Sequence, residues 1–440
     1  MLKSLGSLRR LFSSGATLFG GSLATMGLNF FQTWLLACVL GASGFGIWGT
    51  VMSYASVVFA FCTFRTSEPV TRYLVEFRHQ KEIDRLGLLL NTAILTDLVT
   101  MGLGAVVVSI SAPWMAGELA GGQGEVSLYL LYGATQVFGF FDQTWFSVAR
   151  DLGQYRRIAF LNVLFPALRV SMVGVFALFE NFSLLVLAWV FLGVSLIQVI
   201  VVGRLLVKTV REGYDVDLLD GGGLKRMREV VRRRKEISGF WNFMSAGFLS
   251  SIVSTLVKEG DILVLGILRP VEEVGWYRLG KSLAGMVQRA AEMLAQVIYQ
   301  DFSEMVVRRD MKMIRQSVNL LWRTWGPTVL VLVLLAVAVA GYAVPILFGE
   351  QYSPAVPLFR VLIVGSGVVT ILFWVRPMAL AFDFYWYHFW TGIVIGVLCV
   401  PLNIGLIWLY GAIGAAWTLV MASVFGQVAL FVRIAPKLRA

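Results

Sequence analysis

One stretch concentrates ionisable residues where an apolar helix should be. Residues 276–296 read WYRLGKSLAGMVQRAAEMLAQ, long enough to cross a bilayer, and carry Arg278, Lys281, Arg289 and Glu292. Arg278, Lys281, Gly285, Gln288/Arg289, Glu292 and Gln296 recur at i+3/i+4 spacing and share one helix face. Leu283, Met286, Val287, Ala290, Met293 and Leu294 cover much of the rest. A charge at the centre of a spanning helix costs about 2.5–3.5 kcal/mol on insertion scales, so the stripe must face protein or water. Guanidinium and ammonium groups suit phosphate and carboxylate, so the stripe is expected to line a central cavity that handles an anionic solute. The alternative is structural: Arg278 and Lys281 snorkel to the outer interface, and Arg289 and Glu292 form an i,i+3 ion pair.

Other polar residues interrupt apolar runs. Lys258, Glu259 and Asp261 precede the stripe, and Lys258 and Asp261 can share a face, either as cavity lining or as an internal salt bridge. Asp97 and Asp142 are candidate H+ or Na+ coupling carboxylates, although either could instead pair with Arg169. Asn29 and Gln32 are expected to face the lumen or to hydrogen-bond a neighbouring helix. Cys38, Cys62 and Cys399 lie inside apolar runs without a CxxC pair, and His79 and His388 lack ligand spacing, so neither metal nor cofactor is expected. The chain has no GxxxxGK[ST] loop, so transport should be ion-coupled or driven by the solute's own gradient, not by ATP.

The elements that position these residues follow from composition. The 440 residues are 58% hydrophobic and 14% charged, with a mean hydropathy of +0.77. A soluble chain carries about 25% charge, so this is an all-α polytopic membrane protein. Apolar windows place about twelve spans near 16–39, 45–64, 86–112, 126–148, 158–179, 184–207, 239–268, 275–298, 322–348, 356–380, 386–409 and 412–433. Lys3, Arg9 and Arg10 precede the first run, and Leu35-Leu36-Ala37-Cys38 loosely resembles a lipoprotein processing site. That run exceeds the usual 7–15-residue signal core, so it is expected to be a first transmembrane helix.

The formal charge of +11 sits in short connections, which argues for topology and against nucleic acid. Basic residues occupy the N-terminal arm, the 65–85, 149–157, 208–238 and 308–316 connections and the C-terminal tail; the alternate connections hold only Arg269. Both termini are therefore expected in the cytoplasm. Residues 208–238 divide the chain into lobes at 1–207 and 239–440, joined by a basic linker. Met227, Val230 and Val231 within KRMREVVRRRKE suggest a short amphipathic helix on the inner leaflet. Pro166, Pro327, Pro345, Pro377 and Pro401 interrupt spans and could bend them.

The halves repeat weakly. Phe45-Gly46-Ile47-Trp48 aligns with Val274-Gly275-Trp276-Tyr277, Asp151 and Tyr155 with Asp383 and Tyr387, and Ala188-Trp189 and Ser195 with Ala416-Trp417 and Ser423. Six spans per half preserve orientation, so the lobes should be related by a pseudo-two-fold axis along the membrane normal.

Three segments then carry a family resemblance. Leu40-Gly41 followed by Ala42-Ser43-Gly44-Phe45-Gly46-Ile47-Trp48 is one. Asp261-Ile262-Leu263-Val264-Leu265-Gly266 followed by Val274-Gly275-Trp276-Tyr277 is another, and the run from Asn403 through Tyr410-Gly411-Ala412-Ile413-Gly414 to Trp417 is the third. Together they resemble the oligosaccharide and lipid flippases of the multidrug/oligosaccharidyl-lipid/polysaccharide exporter superfamily. Tyr299-Gln300-Asp301-Phe302 stands where that family often has a proline.

The resemblance implies a V-shaped, alternating-access carrier whose helices 1, 2, 7 and 8 line the cavity. The expected substrate is a polyprenyl-diphosphate-linked oligosaccharide in the cytoplasmic membrane of a bacterium or archaeon. Membrane lipids, H+ or Na+ and other polysaccharide-assembly membrane proteins are the further partners, and the carrier is expected to be a monomer. A cation-coupled multidrug exporter on the same fold is the alternative. A membrane glycosyltransferase or polymerase needs a sizeable external loop, and the longest here, 113–125, lacks Arg, Lys and His, so no enzymatic step is expected.

Overall fold

The structure is a computed structural model. It describes the backbone of residues 2–64, 66–179, 182–216, 218, 230 and 232–439. It describes their side chains from residue 20 onward, apart from 120, 234, 235, 238, 242, 243, 246, 250, 296, 297, 300 and 439. The described elements are helical, with no strand: α1 Leu2–Cys62, α2 Ser67–Gln80, α3 Ile83–Glu118, α4 Val126–Val137, α5 Asp142–Asp151, α6 Tyr155–Phe176 and α7 Leu184–Tyr214, then α8 Ser238–Leu268, α9 Val271–Val307, α10 Met311–Phe348, α11 Ala355–Ile371, α12 Val375–Ala381, α13 Tyr385–Tyr410 and α14 Ala412–Arg439.

All twelve expected windows are helical. The first two are arms of α1, separated at Gly41, whose φ of +67° is left-handed backbone suited to glycine. The fourth window is split into α4 and α5 by a turn at 138–141, and the tenth into α11 and α12 by a turn at 372–374. Among the described residues eight helices have the length and apolarity of a span. The stripe-bearing α9 is not one of them, because its charges lower its hydropathy.

Expectation and structure differ at one connection. The 65–85 connection is largely a helix, α2, whose Pro69, Val70, Leu74 and Phe77 are buried. Its apolar face packs into a core with Trp145, Phe165 and Leu206. Arg78 and Tyr214 both reach the buried Asp151, at 2.8 and 2.5 Å, and tie α2 to α5 and α7. Pro166, Pro327, Pro345 and Pro401 lie inside continuous helices, and the two helix breaks fall elsewhere. The amphipathic helix expected around Met227, Val230 and Val231 falls almost wholly outside the described residues.

Contacts group the chain into two compact units. The first comprises Met1–Gln32, Tyr54–Ala116 and Glu125–Ile252; the second comprises Thr33–Ser53, Gly117–Gly124 and Val253–Ala440.

Within the second unit the repeat motifs meet each other. A Cβ on Gly46 would stand 2.1 Å from the Val271 carbonyl oxygen, and one on Gly275 would stand 2.0 Å from that of Ala42. Each glycine thus faces the carbonyl four residues before the other, a reciprocal small-xxx-small crossing of the α1 second arm with α9. The same unit explains Arg269, the one basic residue on the alternate connections. Its guanidinium donates to the Ile407 and Trp408 carbonyls at the end of α13, while Glu273 Oε2 accepts from the Ala412 N–H at the start of α14. α13 exposes Tyr385, Trp386 and Trp390 near one end and Trp408 and Tyr410 at the other, with exposed Val394, Val397 and Leu398 between. Trp390 and Trp408 are about 27 Å apart along the axis, the spacing of two interfacial aromatic belts. α9 and α10, at 37 and 38 residues, are about 55 Å long and exceed the roughly 30 Å hydrocarbon core.

The crossing gives a direct test. Gly46→Ala or Gly275→Ala must push backbone from backbone and should cost about 1–3 kcal/mol, read as a lowered melting temperature in detergent. Gly285→Ala, whose Cβ meets nothing within 4 Å, should cost nothing. Equal melting temperatures for all three variants would refute the close crossing.

Candidate functional site

The expected site residues fall into both units. Arg278, Lys281, Gln288, Arg289, Glu292 and Lys258 belong to the second unit, and Asn29, Gln32, Asp97 and Asp142 to the first.

In the second unit the charges of α8 and α9 organise around Asp261, which is 3% exposed. Lys281 Nζ lies 2.8 Å from both of its carboxylate oxygens and also donates to the Lys258 carbonyl. Tyr277, fully buried, donates its hydroxyl to Asp261 Oδ2 at 2.5 Å. Lys281 is therefore held in a closed ion pair, not snorkelled outward, and the Lys258 side chain is exposed. Arg278 is half-buried, with its guanidinium over the Phe45 ring at 5.6 Å and an Nη2 2.9 Å from Met52 Sδ. Glu259 accepts from Ser53 Oγ at 2.7 Å. All three partners lie on the α1 second arm, which the glycine crossing brings against α9.

Two turns further along α9 the character changes. Arg289 and Glu292 are exposed and Gln288 is half-buried. The hydrogen bond of Arg289 is a long one, 3.4 Å, to the Ser282 carbonyl of its own helix. An exposed guanidinium in a membrane-spanning helix needs water, headgroups or a ligand. The stripe is thus graded from closed at Lys281 to open at Arg289.

The first unit holds two carboxylates in different settings. Asp97 is completely buried, and Thr66 Oγ1 serves both of its oxygens at 3.0 and 2.8 Å. Gln143 accepts from the Ser67 N–H at 3.2 Å beside it. Asp142 opens α5 just after the break, and its Oδ2 accepts from Gln198 Nε2 at 2.6 Å. Gln198 Oε1 in turn lies 3.5 Å from Arg169 Nη2, so the glutamine stands between the two charges. Asn29 is exposed and Gln32 half-buried on α1. Among the described residues no three His, Cys, Asp or Glu side chains converge as metal ligands.

Periodicity did not reveal Tyr277, Thr66, Ser53 or Gln198, because each acts on a partner in another helix. Gln198 did leave a signal, as the lone amide within the apolar run of α7. Asn403, read from the sequence as part of a family motif and not as a site residue, lines an apolar cavity of about 180 Å³ with Asp261 and Thr418; its Oδ1 is buried without a hydrogen-bond partner among the described residues.

This architecture is that of the multidrug exporters and lipid flippases. An inward-closed structure of the lipid II flippase MurJ matches with a TM-score of 0.73 at 12% identity, covering 96% of this chain and 87% of that one. An inward-facing multidrug resistance MATE transporter of the MOP superfamily gives 0.69 at 13%, covering 97% and 98%. A mutant of the Vibrio cholerae MATE transporter VcmN gives 0.64 at 15%, covering 100% and 98%. No curated protein matches the chain. The profile of the polysaccharide biosynthesis protein family matches residues 11–306, and the chain belongs to that family. It is a multi-pass membrane protein with the two-lobed, twelve-span fold expected from the sequence.

The buried pair can be dissected. Asp261→Asn or Lys281→Met alone should destabilise by about 3–5 kcal/mol, because each leaves a buried charge without its partner. The double variant should be less damaging than either single one. Thermal unfolding of the four proteins gives the coupling, and additive losses would show that the pair is not closed.

Proposed function

We propose that the protein is a flippase that moves a polyprenyl-diphosphate-linked oligosaccharide across the cytoplasmic membrane of a bacterium or archaeon by alternating access, with both termini cytoplasmic. The observation that carries this reading is the open Arg289. It is an exposed guanidinium in a spanning helix, with no carboxylate at ion-pair distance among the described residues and a long hydrogen bond to its own helix. A diphosphate supplies the planar, acceptor-rich partner such a fork needs, and its charge is worth most where water is scarce. Membership of a polysaccharide biosynthesis family supports a glycan cargo, and the fold supports carriage. Lys281 belongs to the scaffold in its resting pair with Asp261. The protein makes and breaks no covalent bond in this reading.

Asp97 is the coupling group we assign. It is completely buried and its oxygens rest on one hydroxyl, so the free energy of its charged form depends on whatever cation or proton reaches it. The cation-coupled multidrug exporter makes the opposite demand on Arg289, since a positive charge in the cavity repels a cationic drug.

The test is leaflet translocation of a labelled polyprenyl-diphosphate oligosaccharide in proteoliposomes. Arg289→Ala should slow translocation by about 10–100-fold, the loss expected for a desolvated charge pair, while Arg289→Lys retains part of it. Native-level translocation by folded Arg289→Ala would remove the anion site from α9, and failure of the native protein to move the lipid, with export of cationic drugs, would favour the exporter. Asp97→Asn should make the rate independent of an imposed proton or sodium gradient; an unchanged gradient dependence would clear Asp97 of coupling.

A further inference from the structure

The break between α4 and α5 opens a polar cavity of about 150 Å³ inside the first unit. Tyr132, Asp142, Arg169, Phe191, Ser195 and Gln198 give it its chemistry. We propose that it is a saccharide subsite that takes the hydroxyl-bearing face of one neutral pyranose ring. The ligand class rests on the flippase reading; the site itself is argued from its own residues.

The first argument is what the cavity leaves unsatisfied. Arg169 Nε is buried without a hydrogen-bond partner. One face of its guanidinium lies 5.5 Å from the Phe191 ring centroid, and among the described residues its Nη2 makes one hydrogen bond, a long 3.5 Å contact with Gln198. A guanidinium this poorly served inside a spanning bundle is costly unless a guest completes it. Gln198 meanwhile occupies just one oxygen of Asp142.

The second argument is charge. Arg169 and Asp142 cancel, so a bare anion is opposed by Asp142 and a bare cation by Arg169. A guest must therefore present an acceptor to one and a donor to the other without net charge. Adjacent sugar hydroxyls do this, each being both donor and acceptor. The volume corresponds to roughly five water molecules at about 30 Å³ each, which suits a single ring and not a longer glycan.

The third argument is the repeat. The corresponding break in the second half, between α11 and α12, is plugged by aromatic rings. The Trp325 and Phe373 rings pack at a tilt with centroids 5.4 Å apart, and Trp374 packs edge-on against Trp322 and Phe431. The two breaks are thus lined differently, by aromatic rings in the second half and by polar side chains around an unsatisfied arginine in the first.

The experiment uses the full chain in lipid nanodiscs and saturation-transfer NMR with glucose, galactose, mannose, rhamnose, N-acetylglucosamine and N-acetylgalactosamine. At least one should bind saturably, and Gln198→Leu should weaken it at least about tenfold, the loss of a hydrogen-bonded link to charge. Ser195→Ala, a milder change, should weaken it to a smaller extent, and the same sugar should protect Arg169 of the native protein from phenylglyoxal. Binding by none of the six, binding indifferent to both variants, or tighter binding of acetate or glucuronate than of any neutral sugar would overturn the proposal. Translocation is scored separately: sugar binding by a protein that moves no lipid-linked glycan would sink the flippase reading and leave the subsite standing.

Discussion

Two glycines set how closely the second arm of α1 approaches α9, and that approach decides what the charges of α9 can reach. With Gly46 and Gly275 each against the carbonyl four residues before the other, the two helices run at backbone contact. Phe45, Met52 and Ser53 are thereby delivered to Arg278 and Glu259. A larger residue at either glycine would separate the helices and leave those charges facing a gap. Packing and electrostatics in the second unit are thus one problem: the crossing makes charge in the bilayer tolerable.

The charges are tolerated to different degrees. Asp261 collects Lys281 and Tyr277 and forms a closed, buried cluster, whereas Arg289, about two turns on, is left open. The periodicity of residues 276–296 placed both lysine and arginine on one face, and that part of the site was legible in the chain. Which of them would be free was not. Pairing across helices depends on rotation and depth, and spacing along one helix carries no information about either. For the same reason Lys258 and Asp261, expected to act together, meet the site differently: one through its backbone carbonyl, the other through its carboxylate.

The span pattern was legible because apolar length is a strong local signal. Helix α2 was missed because its apolar face is narrow, only Pro69, Val70, Leu74 and Phe77, and set among charges that read as a loop. The helix breaks were missed because proline is the obvious local breaker, yet the turn at 138–141 contains none. The weak repeat of motifs proved informative beyond topology. Its first pair marks the glycine crossing, and its two breaks are lined by polar residues in one half and by tryptophan and phenylalanine in the other.

The lengths of α9 and α10 have a mechanical meaning. Both rods are anchored near one end in a core of Phe302, Ile314, Trp374 and Ile434, and they join through the short turn at 308–310. Continuous helix is stiff, and about 25 Å of each rod exceeds the hydrocarbon thickness. A tilt of about 5° around mid-bilayer would sweep the protruding tip by about 3.5 Å. The hairpin is a pointer rigidly fixed to the helix that carries Arg289, so small rotations around that arginine are displayed, magnified, at the membrane surface.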